Sequence, residues 1–251
     1  MTSSADPAVR STWPAPWSTL SPEDQAAFSQ AREQTLNLVQ WLARIANSYA
    51  AGARPEDRVL LDFTSDGRFV TRTFERELAV ELRLPSLEMQ FRERGRPVPH
   101  LFNPEERSPA EAEAWILVEL LHRGLERDKF SKSLPYTIAN LLSGDAEDYS
   151  PQACALGLDE LTAWLRTAAA VLSSDGRVVC LPETLTLLAP EPRRGAAVGF
   201  SPGDAGQGEP YFFVDTGLKR WLLTASDLAN EKDVAAVAAR LIVEASAVRR
   251  A

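Results

Sequence analysis

Between residues 22 and 49 the apolar residues recur mostly at three- and four-residue steps, which is the period of a helix with one buried face. Ser21 can cap this helix, and Pro22 suits its first turn, where no amide hydrogen is needed. Gly52 and Pro55 predict its end. The apolar stripe contains Phe28, Leu38, Val39, Leu42, Ile45, Ala46 and Tyr49.

The period changes to two after Arg58, which predicts strands rather than another helix. A turn containing Gly67 joins the first two strands, and in the third strand Glu81 points away from its apolar neighbours. One-sided burial of this kind is typical of antiparallel strands with one solvated face. Pro97 and Pro99 predict the end of this meander. The four predicted strands are 58–63, 69–74, 78–84 and 87–93.

A second set of helices and strands follows the meander. Ser108 and Glu111 are spaced for a capping box at the start of a helix over 108–128. A further helix is predicted to open at Ser150 or at Asp159. The predicted strands are 177–181, 184–189, 196–200, 210–214 and 220–224, and an alanine-rich helix at about 231–248 closes the chain.

This order predicts an α+β protein built from two similar helix–antiparallel sheet–helix halves, over 20–128 and 129–251, behind a loosely ordered tail at 1–19. The repeated plan suggests an internal duplication, although the shared "SDGR" at 65 and 174 occupies different kinds of turn. The halves could equally form one compact domain. Sheet surface or edge without a helical cover would be available to a second copy in a homodimer.

Composition narrows the possible functions. The chain of 251 residues carries a net charge of −8, with a pI near 5.0, so a nucleic-acid backbone would be repelled and no nucleic-acid partner is predicted. No apolar run is long enough for a membrane span, and the first residues resemble no signal peptide. The two cysteines, Cys154 and Cys180, lie in apolar segments and are expected to be reduced thiols. A cytoplasmic protein is predicted. In the tail, Trp13 and Trp17 are expected to dock on the body of the protein.

The segment 199–214, "GFSPGDAGQGEPYFFV", places three glycines between two predicted strands. A phosphate-binding loop is excluded because such loops lead into a helix N-terminus, whereas an aromatic strand follows here. The pattern favours a long β-hairpin loop in which Asp204 satisfies turn amides. A pocket at this end of the sheet is the alternative. Its candidate ligand-binding residues are Ser201, Asp204, Glu209, Tyr211 and Asp215.

Histidine is scarce, with His100 and His122 as the only two. Glu119, His122 and Glu126 fall on one helical face, but a carboxylate di-metal site needs a second Glu-x-x-His that the chain lacks. A solvated helix face is therefore predicted for these residues, and His100 is assigned to a proline-bounded loop. Neither a metal nor a cofactor is predicted. The chain also lacks a Gly-x-Ser-x-Gly nucleophile motif.

The residues from Gly199 to Asp204 and from Glu209 to Val214 resemble a block found in a family of uncharacterised bacterial proteins. The resemblance is specific over about sixteen residues and looser over about a hundred. In that family a Trp-Pro-His-His-Phe-Asp strand precedes the block, whereas this chain has "CLPETLTLL" there. The resemblance implies a fold but no established activity. If those histidines bind metal or move protons in the family, that role is lost here; the alternative is that they are structural in the family as well.

Three functions remain open at this point. The leading expectation is a non-catalytic protein that binds a partner or a small ligand near the 201–211 loop. The second is a hydrolase-like enzyme that uses the carboxylates Asp204, Glu209 and Asp215 with Tyr211 around a pocket. The third is a purely structural or interaction protein without a ligand.

Overall fold

The computed structural model describes most of the chain. The described residues are 14, 17–50, 54–138, 141–144, 147–173, 177–190, 196–204 and 206–230, together with 236, 237, 240, 241 and 243. Residues 1–13, 15 and 16 of the predicted tail at 1–19, including Trp13, and most of the predicted helix at 231–248 lie outside them. Within the described part, no helix is long and apolar enough to cross a membrane.

Two helices begin where the sequence predicts caps, whereas the helix expected to open at Ser150 or Asp159 begins at Ala155, without a side-chain cap. Ser21 Oγ accepts a hydrogen bond from the amide of Asp24 at 3.1 Å, and Ser108 Oγ accepts one from the amide of Glu111 at 3.2 Å. Both caps are reciprocal capping boxes. The helices are α1 (Pro22–Tyr49), α2 (Pro55–Arg58), α3 (Pro109–His122) and α4 (Ala155–Leu172).

Helix α3 ends earlier than the apolar pattern predicted. Gly124 adopts a φ of +66°, a conformation that a glycine reaches without strain, and the amide of Leu125 bonds back to the carbonyl of Leu120 at 3.0 Å. Glu126 consequently lies beyond the helix, so the predicted helical face of Glu119, His122 and Glu126 does not exist as one surface.

All ten strands of the described residues form one antiparallel sheet, which confirms the α+β class. The strands are β1 (Leu61–Thr64), β2 (Arg68–Thr71), β3 (Leu78–Arg83), β4 (Glu88–Glu93), β5 (Arg96–Phe102), β6 (Val178–Leu181), β7 (Thr186–Leu188), β8 (Ala197–Ser201), β9 (Tyr211–Asp215) and β10 (Arg220–Thr224). Their order is β10-β9-β8-β7-β6-β1-β2-β3-β4-β5.

The two sheets expected from the sequence are thus joined. Strand β1 pairs with β6, with Leu61 opposite Cys180 and Phe63 opposite Val178. Each half contributes five strands in chain order on its own side of this pair. The order is symmetric about the joint, but the duplication itself stays a prediction.

Strand β5 corrects the expectation that Pro97 and Pro99 end the meander. Both prolines lie inside β5, which pairs with β4 through contacts such as Arg92 opposite Pro97. Because β5 is the last strand of the described sheet, one of its edges has no partner strand there, and prolines, which cannot donate to the ladder, are tolerated in such edge strands. The same prolines discourage another strand from pairing with this edge.

Helices α1 and α4 pack together on one face of the sheet. Gly157 of α4 lies so close to α1 that an added Cβ would stand 2.1 Å from the carbonyl oxygen of Ala27. Between these helices and the sheet, the ring of Trp164 stacks on Phe200 at 6.1 Å. Trp17 packs edge-on against Phe28 at 5.1 Å, which confirms its predicted docking.

Candidate functional site

The loop between β8 and β9 contains the residues that the sequence singled out, and Asp204 organises it. Asp204 Oδ1 accepts hydrogen bonds from the amides of Gly206 and Gln207, at 2.7 and 2.9 Å. Its Oδ2 accepts a hydrogen bond from Tyr211 Oη at 2.7 Å. These bonds close the loop and fix it to the start of β9, as expected of an aspartate that satisfies turn amides.

Gly203 is required by the same loop. Its φ is +96°, and an added Cβ would lie 2.6 Å from the carbonyl oxygen of Gly208 and 2.9 Å from Arg32 Nη1. The glycine therefore permits both the turn and its close packing on helix α1. Ser201 is buried beneath the turn, where its hydroxyl oxygen accepts a hydrogen bond from the amide of Gly203 at 3.3 Å.

Glu209 and Asp215 serve separate turns. Glu209 Oε2 accepts hydrogen bonds from the amide and the hydroxyl of Ser226, at 2.9 and 2.6 Å, which ties the loop to the end of β10. Asp215 Oδ1 accepts a hydrogen bond from the amide of Gly217 at 2.7 Å in the β9–β10 turn. The structure thus brings Ser201, Asp204 and Tyr211 together and gives all five predicted residues turn-closing or packing contacts.

Replacing Asp204 with asparagine is expected to lower the free energy of unfolding by about 1 kcal/mol at neutral pH, because charge-assisted hydrogen bonds are lost. Burial alone would raise the pKa of Asp204. However, the hydrogen bonds from Tyr211, Gln207 and Gly206 and the charge of Arg220 outweigh it, so its pKa lies below the ordinary value of 3.8. The difference between wild type and variant should therefore persist above pH 3.8 and vanish as the pH falls through the lowered value.

Urea titrations at a series of pH values measure this difference. Asp128→Asn is the control, since Asp128 is exposed and its ion contact with Arg127, at 3.7 Å, joins two largely exposed side chains. If the variant and wild type differ equally at all pH values, the stabilising charge is not that of Asp204.

The second candidate surface is the sheet face opposite helices α1 and α4, which we call the open face. Strand register places one residue of each strand in a single row across it: Leu222, Phe213, Gly199, Leu188, Val179, Asp62, Val70, Glu81, Gln90 and Leu101. Val70 of β2 lies opposite Glu81 of β3, so the row continues between these two strands. The row joins an apolar half, contributed mainly by β6–β10, to a polar half on β3 and β4.

In the polar half, three guanidinium groups surround one carboxylate. Glu81 Oε2 lies 2.9 Å from Arg68 Nη1 and 3.0 Å from Arg92 Nη1, while its Oε1 lies 3.2 Å from Arg83 Nη2. The sequence correctly placed Glu81 on the face away from the apolar residues. However, the carboxylate is not solvated, because the three arginines cover it completely.

In the apolar half, an aromatic ring lies flat on the sheet. An added Cβ on Gly199 would stand 2.4 Å from Phe213 Cζ, so the glycine makes room for the ring. The guanidinium of Arg220 covers the ring at 4.3 Å and reaches Tyr211 Oη at 3.4 Å. Arg177 pairs with Asp62 near the middle of the face. Arginine thus supplies the cations of both halves.

The residues considered for metal or nucleophilic chemistry are placed differently from the sequence expectation. Glu119 is buried rather than solvated, and His100 lies in strand β5 rather than in a loop. Cys154 and Cys180 are unpaired and buried, as predicted. Burial raises the pKa of both thiols, which disfavours the reactive thiolate.

Together these features define an α+β protein in which helices cover one sheet face and, among the described residues, none covers the other. A scan with protein-family models gives no match to this chain, and searches of curated proteins and of solved structures give none either. The resemblance noted for 199–214 therefore stays a prediction.

Proposed function

We propose that this protein is a non-catalytic binding protein whose open sheet face docks an acidic, partly apolar segment of a partner protein, close to the β8–β9 loop. The observation that carries the proposal is the charge of this face. Five arginines lie on this face of a chain whose net charge is −8, and the carboxylates that pair with them are fewer: the arginines are Arg68, Arg83, Arg92, Arg177 and Arg220, and the carboxylates are Asp62, Asp66 and Glu81. Complementary potentials of this kind select a partner and speed its association.

The residue types on the open face support a protein partner. Arginine, tyrosine and phenylalanine are enriched at protein interfaces, whereas lysine is depleted there. Leu222 and Leu101, at the two ends of the row, are 49% and 46% exposed, so apolar contact surface accompanies the charges. A polyanion without apolar groups would leave this surface uncovered.

The β8–β9 loop supports a binding role more than a catalytic one. Asp204 and Glu209 are both engaged by backbone amides, so neither carboxylate is poised to exchange a proton with a substrate. The loop instead holds Tyr211 at the edge of the open face, where Arg220 contacts both Tyr211 and Phe213. Two buried, unpaired cysteines support the reducing, cytoplasmic location predicted from the sequence.

Fluorescence anisotropy with a labelled peptide in which glutamate alternates with leucine tests the proposal. The double variant Arg83→Gln/Arg177→Gln should bind this peptide roughly tenfold more weakly, because each exposed cation contributes on the order of 0.5–1 kcal/mol. The binding of wild-type protein should weaken as salt rises, and that of the variant should depend less on salt.

The matched control is Arg54→Gln/Arg127→Gln, which removes the same charge from exposed arginines outside the open face. It should leave the affinity unchanged. Equal losses in both double variants would show that net charge, rather than this face, attracts the peptide. Tighter binding of a single-stranded oligonucleotide than of the peptide would overturn the choice of partner.

A further inference from the structure

Both histidines of the chain meet at one buried carboxylate, on the helix side of the sheet and away from the open face. His100 comes from the edge strand β5, and His122 is the last residue of α3. His100 Nδ1 lies 3.4 Å and His122 Nδ1 lies 3.9 Å from the same oxygen, Glu119 Oε1. Among the described residues, this is the only group of three or more histidine, cysteine or acidic side chains arranged to hold a metal ion.

The separation of these atoms suits a small divalent cation. Bonds of about 2.0–2.1 Å in a tetrahedral site place the ligand atoms about 3.4 Å apart. The three side chains offer ligand atoms that all lie within 4.8 Å of one another. The imidazoles are 68% and 59% exposed, so they can rotate toward an ion without disturbing the core. The same exposure leaves coordination positions open to water or to another ligand.

Arg123 fixes the orientation of the Glu119 carboxylate, which lies between the histidines. Glu119 Oε2 lies 2.7 Å from Arg123 Nη1, which also donates a hydrogen bond to the Glu119 carbonyl oxygen at 2.7 Å. The Arg123 guanidinium in turn stacks over the ring of Phe91 at 4.9 Å. Because Arg123 engages Oε2, Oε1 is the oxygen presented to the histidines. Outer contacts of this kind orient the ligands of metal sites.

We infer that His100, Glu119 and His122 form a binding site for one divalent transition-metal ion. Two imidazole nitrogens with a single carboxylate oxygen favour Zn²⁺, Co²⁺, Ni²⁺ or Cu²⁺ over Mg²⁺ and Ca²⁺, which prefer oxygen ligands. The ion links the free edge of the sheet to the end of α3. This site is separate from the proposed docking face, so either can fail without the other.

Titration of tag-free protein with Zn²⁺ in the calorimeter, and with Co²⁺ by visible absorption, tests the inference. We expect saturation at one ion per chain, a Co²⁺ spectrum of a nitrogen- and oxygen-ligated ion, and a rise in the melting temperature with added Zn²⁺. Binding should weaken on acidification, because protons compete for the imidazole nitrogens. Mg²⁺ should produce none of these changes.

The variants His100→Ala and His122→Ala should each lower the Zn²⁺ affinity by about 100-fold or more, since even the loss of an outer contact costs 10–100-fold. Both side chains are exposed, so these variants are expected to fold. Glu119→Gln should have a similar effect, with its folding checked by circular dichroism, because its ion pair with Arg123 is buried.

Glu126→Gln is the matched control, since this exposed carboxylate lies beyond the end of α3 and outside the cluster. It should bind Zn²⁺ as wild type does. The inference is overturned if wild-type protein shows no saturable binding, or if both histidine variants retain wild-type affinity.

Discussion

Replacing Gly157 with alanine is expected to lower the free energy of unfolding by about 3 kcal/mol, the upper end of the usual cost of overpacking a core. At this position α4 lies directly against α1. The new Cβ would stand 2.1 Å from the carbonyl oxygen of Ala27 and 2.7 Å from the amide nitrogen of Phe28. These are backbone atoms, which cannot move aside as a flexible side chain can. Relief of the clash requires the two helices to separate.

Urea denaturation followed by tryptophan fluorescence measures this loss. Gly208→Ala is the control, because Gly208 has no atom within 4 Å of an added Cβ and should change stability by no more than about 0.5 kcal/mol. A Gly157 variant as stable as the control would mean that α1 and α4 do not cross as closely as described.

Replacing Glu81 with glutamine is expected to lower the free energy of unfolding by about 3–5 kcal/mol, the usual effect of removing one partner from a buried charge network. The Glu81 side chain is fully buried and contacts Arg68, Arg83 and Arg92, of which Arg68 also pairs with the more exposed Asp66 at 2.6 Å. Glutamine keeps the shape of the side chain but removes the charge that opposes the three guanidinium groups. Their mutual repulsion then remains.

The control for this variant is Glu77→Gln, where the carboxylate and its partner Arg94 are both largely exposed. Loss of such a surface pair should cost no more than about 1 kcal/mol. Equal stability of the two variants would show that the Glu81 network contributes no more than a surface ion pair. The acidic peptide should still bind folded Glu81→Gln protein, since the arginines proposed to contact it remain.

Local signals in the sequence predicted much of the fold. The caps at Ser21 and Ser108 lie where the sequence placed them, because a cap depends on residues within one turn of the helix. The strands on either side of Gly67 pair as expected, with Phe63 opposite Phe69. The prediction that the prolines of β5 end the meander was wrong, because prolines are tolerated in an edge strand and whether a strand lies at an edge depends on the whole sheet.

The candidate sites were predicted less well. Asp204 could be assigned to turn closure because its partners lie within seven residues of it. The group formed by His100, Glu119 and His122 was not predicted, because helical spacing relates only residues of one helix and His100 comes from a strand. The signal available in the sequence was the scarcity of histidine itself, but scarcity does not reveal proximity.

By itself the sequence determined the periodic elements, their caps and turns, and the face of each strand that turns toward the core. These properties arise from interactions between residues close in the chain. Only the tertiary structure decided that two sheets join through β1 and β6, that arginines bury Glu81, and that both histidines share one carboxylate. Such contacts depend on how distant strands and helices pack, and no local period or spacing encodes that packing.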